Sequence, residues 1–285
     1  MAYPQFKGKH RESALFDPTH YIDYQIRVGK IKKVTVPRNI IFCYSRRLFD
    51  YVRKNYTLMS TGFFESSSIY KNFYTIKETK NNKNSPFRRV FESQSRKILG
   101  AGQRDSNKVG IIADFGVGSP VAAVIIEELI AAGAKRFISI GMAGSLQKNL
   151  NVGDFVVCER AIRDEGTSHH YLMSGKYSYA SKKMTQEIES TLQNMHLKYK
   201  RGTTWTIDAP YRETIAEVRQ YKKEGVLTVE MEAAAIFAVA KYRGVEAGAI
   251  FTISDYLGGG KWQPKFHLTQ KHLARIFEVA KNVLS

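Results

Sequence analysis

Cysteine is scarce in this chain. Only Cys43 and Cys158 occur in 285 residues, each inside an apolar, strand-like run (IIFCY and FVVCE), so buried thiols are expected rather than a disulfide framework or a zinc site. Long apolar stretches are missing too. With no run of 18 or more apolar residues and no charged-then-apolar leader after Met1, neither a membrane span nor a signal peptide is expected, and the expected compartment is the cytoplasm. Acidic side chains are in the minority: 26 stand against 44 lysines and arginines, a formal net charge of +18, and residues 1–100 alone hold 20 basic against 7 acidic side chains. That imbalance favours polyanionic partners such as nucleotides, although a solvated basic face produces the same count. RNP, zinc-finger and helix-turn-helix signatures are absent, which argues against nucleic acid as a partner.

What is present is an alternation of strand-like and helix-like segments, in a chain long enough to bury a core without staples. Residues 1–35 are polar and aromatic with little periodicity and read as an N-terminal extension or arm; residues 36–285 read as one main domain. VTVPRNIIFCYS carries the first strand, RRLFDYVRKNY a helix, and residues 60–87 strands or a hairpin ending in an exposed loop near 80–85. VGIIADFGVGSPVAAVIIEELIAAGA is a strand, a Gly-rich turn with Pro120 at the helix start, and a helix ended by Gly133. The free N–H groups around Gly116 and Gly118 are suited to receiving an anion. KRFISIGMAGSL reads as a buried strand running into a tight turn at Gly141-Met142-Ala143-Gly144, and FVVCERAI as another strand. His169 and His170 lie in a polar loop with no further ligand at metal spacing, so no metal is expected there. A helix over 181–196, a strand in RGTTWTIDAPYRET and a closing helix in LARIFEVAKNVL complete an α/β pattern with a largely parallel or mixed sheet.

The stretch 226–255 concentrates the chemistry. VLTVEMEAAAIFAVAKYRGVEAGAIFTISD reads as a strand over 226–229, a helix over 233–242 stopped by Gly244, and a strand over 247–253. Glu230 and Glu232 fall at the first strand's carboxyl end and Asp255 just past the second, which is where open α/β sheets bind ligands. Capping offers another role for the same acids: a carboxylate in a first helical turn complements the dipole, and Ser-Asp after a strand makes an ordinary turn.

Six blocks in order across 109–255 together resemble the nucleoside phosphorylase superfamily, the branch holding hexameric purine nucleoside phosphorylases, uridine phosphorylases and nucleosidases. They are GVGSP, EELIAAGAKRFISIGMAGSL, VGDFVV, Thr206-x-Asp208-Ala209-x-Tyr211, VEMEAAAIFAVA and Ile253-Ser254-Asp255. The resemblance implies that residues 36–285 form a single three-layer catalytic domain, with a mixed, partly barrel-like sheet flanked by helices. It implies that Glu232, with Met231 and Glu230, holds the ribose: two adjacent hydroxyls are donors, and an ionised carboxylate accepts both. It makes Asp255 the general acid that protonates a purine leaving group, and hence also a base-binding residue. Relatives stack a Phe on the base where Pro210 stands here, so stacking is expected from Tyr211, Trp205 or Phe115. His20 is a candidate for a neighbouring subunit's 5′-hydroxyl. A homodimer or hexamer with sites completed across the interface is expected, with no cofactor, and with inorganic phosphate as co-substrate if the cleavage is phosphorolytic.

The phosphate site is where this chain departs from that pattern. The family's Gly-rich first loop reads Cys43-Tyr44-Ser45-Arg46-Arg47 here, its strand arginine is Ser139, and its turn Ser or Thr is Met142. The change removes a fork of donors and a hydroxyl. Gly116, Gly118, Arg46, Arg47, Gly141 and Met142 remain the candidate anion site, with Arg88 or Arg89 of a neighbouring chain as compensation. Three readings stay open: phosphorolysis of a purine nucleoside, hydrolysis of a nucleoside or nucleotide, and a non-catalytic nucleotide- or nucleic-acid-binding protein. Retention of Glu232 together with Asp255 argues against the third.

Overall fold

The computed structural model describes residues 6, 8–31, 36–63, 72–79 and 108–285. The expected exposed loop near 80–85, and Arg88 and Arg89, lie outside the described residues. The chain runs α1 (Pro18–Arg27), β1 (Asn39–Cys43), α2 (Arg46–Asn55), β2 (Tyr56–Ser60), β3 (Asn72–Thr79), β4 (Val109–Ala113), α3 (Ser119–Ala131), β5 (Arg136–Ser145), β6 (Phe155–Asp164), β7 (Tyr177–Tyr179), α4 (Lys182–Asn194), β8 (Tyr199–Ile207), α5 (Ile215–Lys223), β9 (Thr228–Glu230), α6 (Ala233–Arg243), β10 (Glu246–Tyr256), β11 (Gln263–Pro264) and α7 (Gln270–Leu284).

Alternation along buried strands builds the three layers. In β1, Ile40 and Phe42 point into a core shared with α1, α3 and α6, while Ile41 and Cys43 point into a second core under α2, α4 and α7. A strand covered on both faces reads as a continuous apolar run, as NIIFC and VGIIA do. The same logic explains α6, whose AAAIFAVA run is buried all round and which Gly244 ends in the left-handed conformation at φ 67°.

The sheet both opens and closes. Strands β5, β10, β6, β8 and β9 form a ring, each paired to the next, while β1, β4, β3 and β2 continue outward from β5 as an open wing. β5 makes both possible by dividing one edge. Its residues 136–140 pair in parallel with β1 and its last two, Gly144 and Ser145, pair antiparallel with β9, while its other edge carries β10 along its whole length.

Three sequence expectations need correction. Residues 141–144 continue β5 rather than forming a tight turn, because β10 pairs with them up to Tyr256↔Ser145. The strand expected at 226–229 begins at Thr228, where β5 and β8 first supply partners. The N-terminal segment is not wholly irregular. Asp17 caps α1 by accepting from Thr19 and His20 N–H groups, and Ile22 is buried in the core shared with α3. Among the described residues no helix is long and apolar enough to cross a membrane.

Candidate active site

The junction of β9 and α6 is assembled from its own backbone. Glu230 ends β9 and its Oε2 accepts from the N–H groups of Glu232 (2.9 Å) and Ala233 (2.8 Å), so it caps the first turn of α6. Thr206, opposite Glu230 on β8, donates its hydroxyl to Glu230 Oε1 at 2.5 Å and accepts from Ala234 N–H at 3.0 Å. Glu232 turns the other way and its Oε1 accepts from Gly118 N–H at 2.6 Å. Gly118 reaches it with φ 104°, a conformation that favours glycine. Ser119 then donates to Met231 C=O at 2.8 Å, docking the start of α3 on this junction.

Both glutamates are buried, and burial pushes both carboxyl pKa values up. For Glu230 the hydrogen bonds from Thr206 and the α6 amides work against that rise. For Glu232 the neighbouring Glu230 adds to it.

Asp255 comes to the same region along the ring. Gly144 pairs with Val229 on one side and with Asp255 on the other. A side chain at Gly144 would overlap Leu257 and lie 3.1 Å from Asp255 Oδ2. Asp255 is buried; Ser254 Oγ donates to its Oδ1 at 2.6 Å and Trp262 Nε1 to its Oδ2 at 2.8 Å. Glu213, before α5, lies close enough for the Asp255 charge, after burial itself, to help push its carboxyl up to about 7.

The candidate anion residues are arranged differently from the simple expectation. The Gly118 amide is taken by Glu232. Ser139 Oγ donates to the Tyr44 hydroxyl at 3.2 Å, and Met142 Sδ accepts from Thr269 Oγ1 at 3.3 Å. Tyr44 rests edge-on against Phe115 with ring centroids 5.1 Å apart, so Phe115 helps enclose that tyrosine, and a side chain at Gly141 would meet its ring at 3.5 Å. Gly116 follows Phe115 in the loop at φ 91°. Arg46 and Arg47 open α2 just beyond Ser45, which caps the helix by accepting from Leu48 N–H, and both are exposed.

The base-stacking candidates separate clearly. Tyr211 is fully exposed in the single chain. Trp205 departs from its expected role: it is wholly buried, donates its indole N–H to Asp164 at 2.9 Å and packs on Tyr221, which leaves no face for a base. His169 Nε2 lies 3.0 Å from Arg163 C=O and His170 Nδ1 lies 2.6 Å from Lys9 Nζ, so each helps hold the polar loop. His20 belongs to the N-terminal cap of α1. Trp262 and Glu213 were not found by sequence reasoning. The available signal was a lone Trp seven residues past the acid, separated from it by three glycines.

The family model described as the phosphorylase superfamily matches residues 76–284. A guanosine phosphorylase from Halorubrum lacusprofundi is 32% identical over 171 residues, covering 60% of this chain and 70% of that protein. A DeoD-type purine nucleoside phosphorylase from Caldanaerobacter subterraneus subsp. tengcongensis is 33% identical over 148 residues, covering 51% of this chain and 64% of that protein. Among solved structures, uridine phosphorylase from Vibrio fischeri ES114 shares the fold with a TM-score of 0.63 at 22% identity, over 89% of this chain and 94% of that one.

Proposed function

The chain belongs to the phosphorylase superfamily, and on that footing we propose that it cleaves the N-glycosidic bond of a purine nucleoside by phosphorolysis, releasing free base and pentose 1-phosphate. The observation that carries this reading is the pairing of Gly144 with both Val229 and Asp255, which brings the acid ends of β9 and β10 onto one rung of the ring. A ribose acceptor and a base-side acid are the two groups that glycosidic cleavage of a purine needs. Glu232, flanked by Met231 and Glu230, accepts the 2′- and 3′-hydroxyls, and orienting the sugar favours the oxocarbenium-like transition state. Asp255 gives a proton to N7 as the C1′–N9 bond breaks, so the base leaves neutral. Tyr211 is the stacking candidate, and its full exposure in one subunit supports a site completed by a second subunit in a homodimer or hexamer.

Inorganic phosphate is the co-substrate in this reading, met by Arg46, Arg47 and the Gly116 loop, with no other cofactor. Hydrolysis is the second reading, and a specific observation favours it. Ser139 gives its hydroxyl proton to Tyr44 and the Met142 thioether has no proton to give, so neither offers the donor that relatives are expected to aim at phosphate.

Base release from a panel of nucleosides and nucleotides, with and without phosphate and with the sugar product identified, tests both. Pentose 1-phosphate formed only with phosphate supports the first reading. Free pentose or pentose 5-phosphate at an equal rate without phosphate supports the second. No base release from any purine substrate overturns both.

A further inference from the structure

The loop after β10 returns on itself to deliver one hydrogen bond. Leu257 leaves the strand, Gly258–Gly260 turn it, and Gln263 and Pro264 come back to pair antiparallel with Tyr256 and Asp255. The turn is held tightly. Lys222 on α5 donates to Gly258 C=O at 2.6 Å, Lys265 N–H donates to Ser254 C=O at 3.0 Å, and a side chain at Gly258 would overlap the Leu146 carbonyl. Immediately before the returning strand stands Trp262. The residue is 62% exposed and its ring leans on Phe266 with centroids 6.1 Å apart, while its indole N–H points inward to Asp255 Oδ2 at 2.8 Å. A large aromatic left mostly in solvent gains little from burial, so the hydrogen bond is its main inward contact.

We propose that Trp262 is a positioning residue for Asp255: its indole N–H fixes the carboxyl group in the orientation from which it meets the base. Ser254 holds the other oxygen, at 2.6 Å, from the adjacent residue of the same strand. With only that donor the carboxyl plane can still turn. Trp262, arriving from the far side of the loop, is the second point that stops it. The inference rests on the reading of Asp255 as general acid, and the chemistry of the leaving group separates the two.

In an ordinary purine nucleoside the C1′–N9 electron pair passes to the base and a proton moves from Asp255 to N7. In an N7-methylated purine nucleoside the base already carries the positive charge and leaves neutral without a proton, so a general acid has nothing to supply. Trp262→Phe keeps a ring and removes the N–H, and at an exposed position it is expected to fold. The expected result is a kcat about 10- to 100-fold lower on guanosine or inosine, the range for losing a hydrogen bond to a charged group, with KM little changed. On N7-methylguanosine the variant should stay within about twofold of the parent, the same leaving-group dependence expected for loss of a positioned proton donor.

An equal loss on both substrates would make Trp262 a packing or lid residue, and no loss on either would leave it without a role; each overturns the proposal. Asp255→Asn run beside it tests the underlying reading. If that variant shows no leaving-group dependence, the assignment of Asp255 falls and takes the proposal with it; if it does and Trp262→Phe does not, only the proposal falls. Fluorescence gives a readout independent of turnover. The chain has two tryptophans and Trp205 is buried, so guanine binding should change an emission component that Trp262→Phe removes. A parent emission unaffected by saturating guanine also counts against the proposal.

Discussion

Glu232 receives the Gly118 amide, and its neighbour Glu230 receives a hydroxyl and two amides, yet both carboxyls are held above their usual range by burial. Such a group keeps its proton near neutrality in the empty site and gives it up when new donors favour the charged form. Nucleoside binding should therefore release protons around neutral pH, and affinity should rise as pH rises through that range. Calorimetry in two buffers of different ionisation enthalpy measures the release, and Glu232→Gln should abolish it; an unchanged release in that variant would remove Glu232 from the sugar site. At this scale the placement of Glu230 and Asp255 toward the carboxyl ends of their strands was legible. Trp205 was misassigned although alternation could have corrected it: Thr204 and Thr206 reach toward β9, so Trp205 between them faces the α5 side. Trp262 was illegible because its contact depends on how a glycine loop turns back.

At the scale of elements, the site depends on how β8, β9 and α6 share donors. Thr206→Val would leave Ala234 N–H without its acceptor and Glu230 without a hydroxyl, a loss of about 1–3 kcal/mol in denaturant unfolding. Thr206→Ser should retain most of that stability. Gly144→Ala acts elsewhere. Its methyl group would overlap Leu257 and crowd Asp255 Oδ2 and Val229, and displacing the acid by even part of an ångström should lower kcat by about 100-fold. Steady-state kinetics beside a thermal melt separates that loss from unfolding. The glycines of β5 were read as a turn because two glycines three apart commonly mark one. At Gly144 the actual use is close approach, since a side chain there would overlap Leu257 and crowd Asp255, whereas a methyl group at Gly141 would meet the Tyr44 ring at ordinary contact distance. Pairing partners distant in sequence decided the matter, and no local pattern reports them.

For the whole molecule, burial of acids gives stability a pH slope. Glu128 is pushed up to about 7 by burial alone, Glu213 to about 7 by burial and Asp255, and Glu278 is raised as well. A raised carboxyl contributes stability that is full below its unfolded value near 4.5 and is lost as pH rises through the folded value near 7. Glu128→Gln should therefore raise Tm by a few degrees at pH 8 and leave it nearly unchanged at pH 4.5. Equal effects at both values would sink that account. The layered α/β plan was legible from alternation, and its closure into a ring followed from the family resemblance. Helix α1 was missed because its ten residues bury only Ile22 and its capping box uses His20 in place of the usual Glu or Gln. The shared rung at Gly144 has a further consequence. Because one residue pairs with both Val229 and Asp255, the spacing between the ends of β9 and β10 is a fixed gauge of the backbone. In the proposed reading, a designer who wants another base with the same sugar grip would vary residues off that rung, such as 257–262.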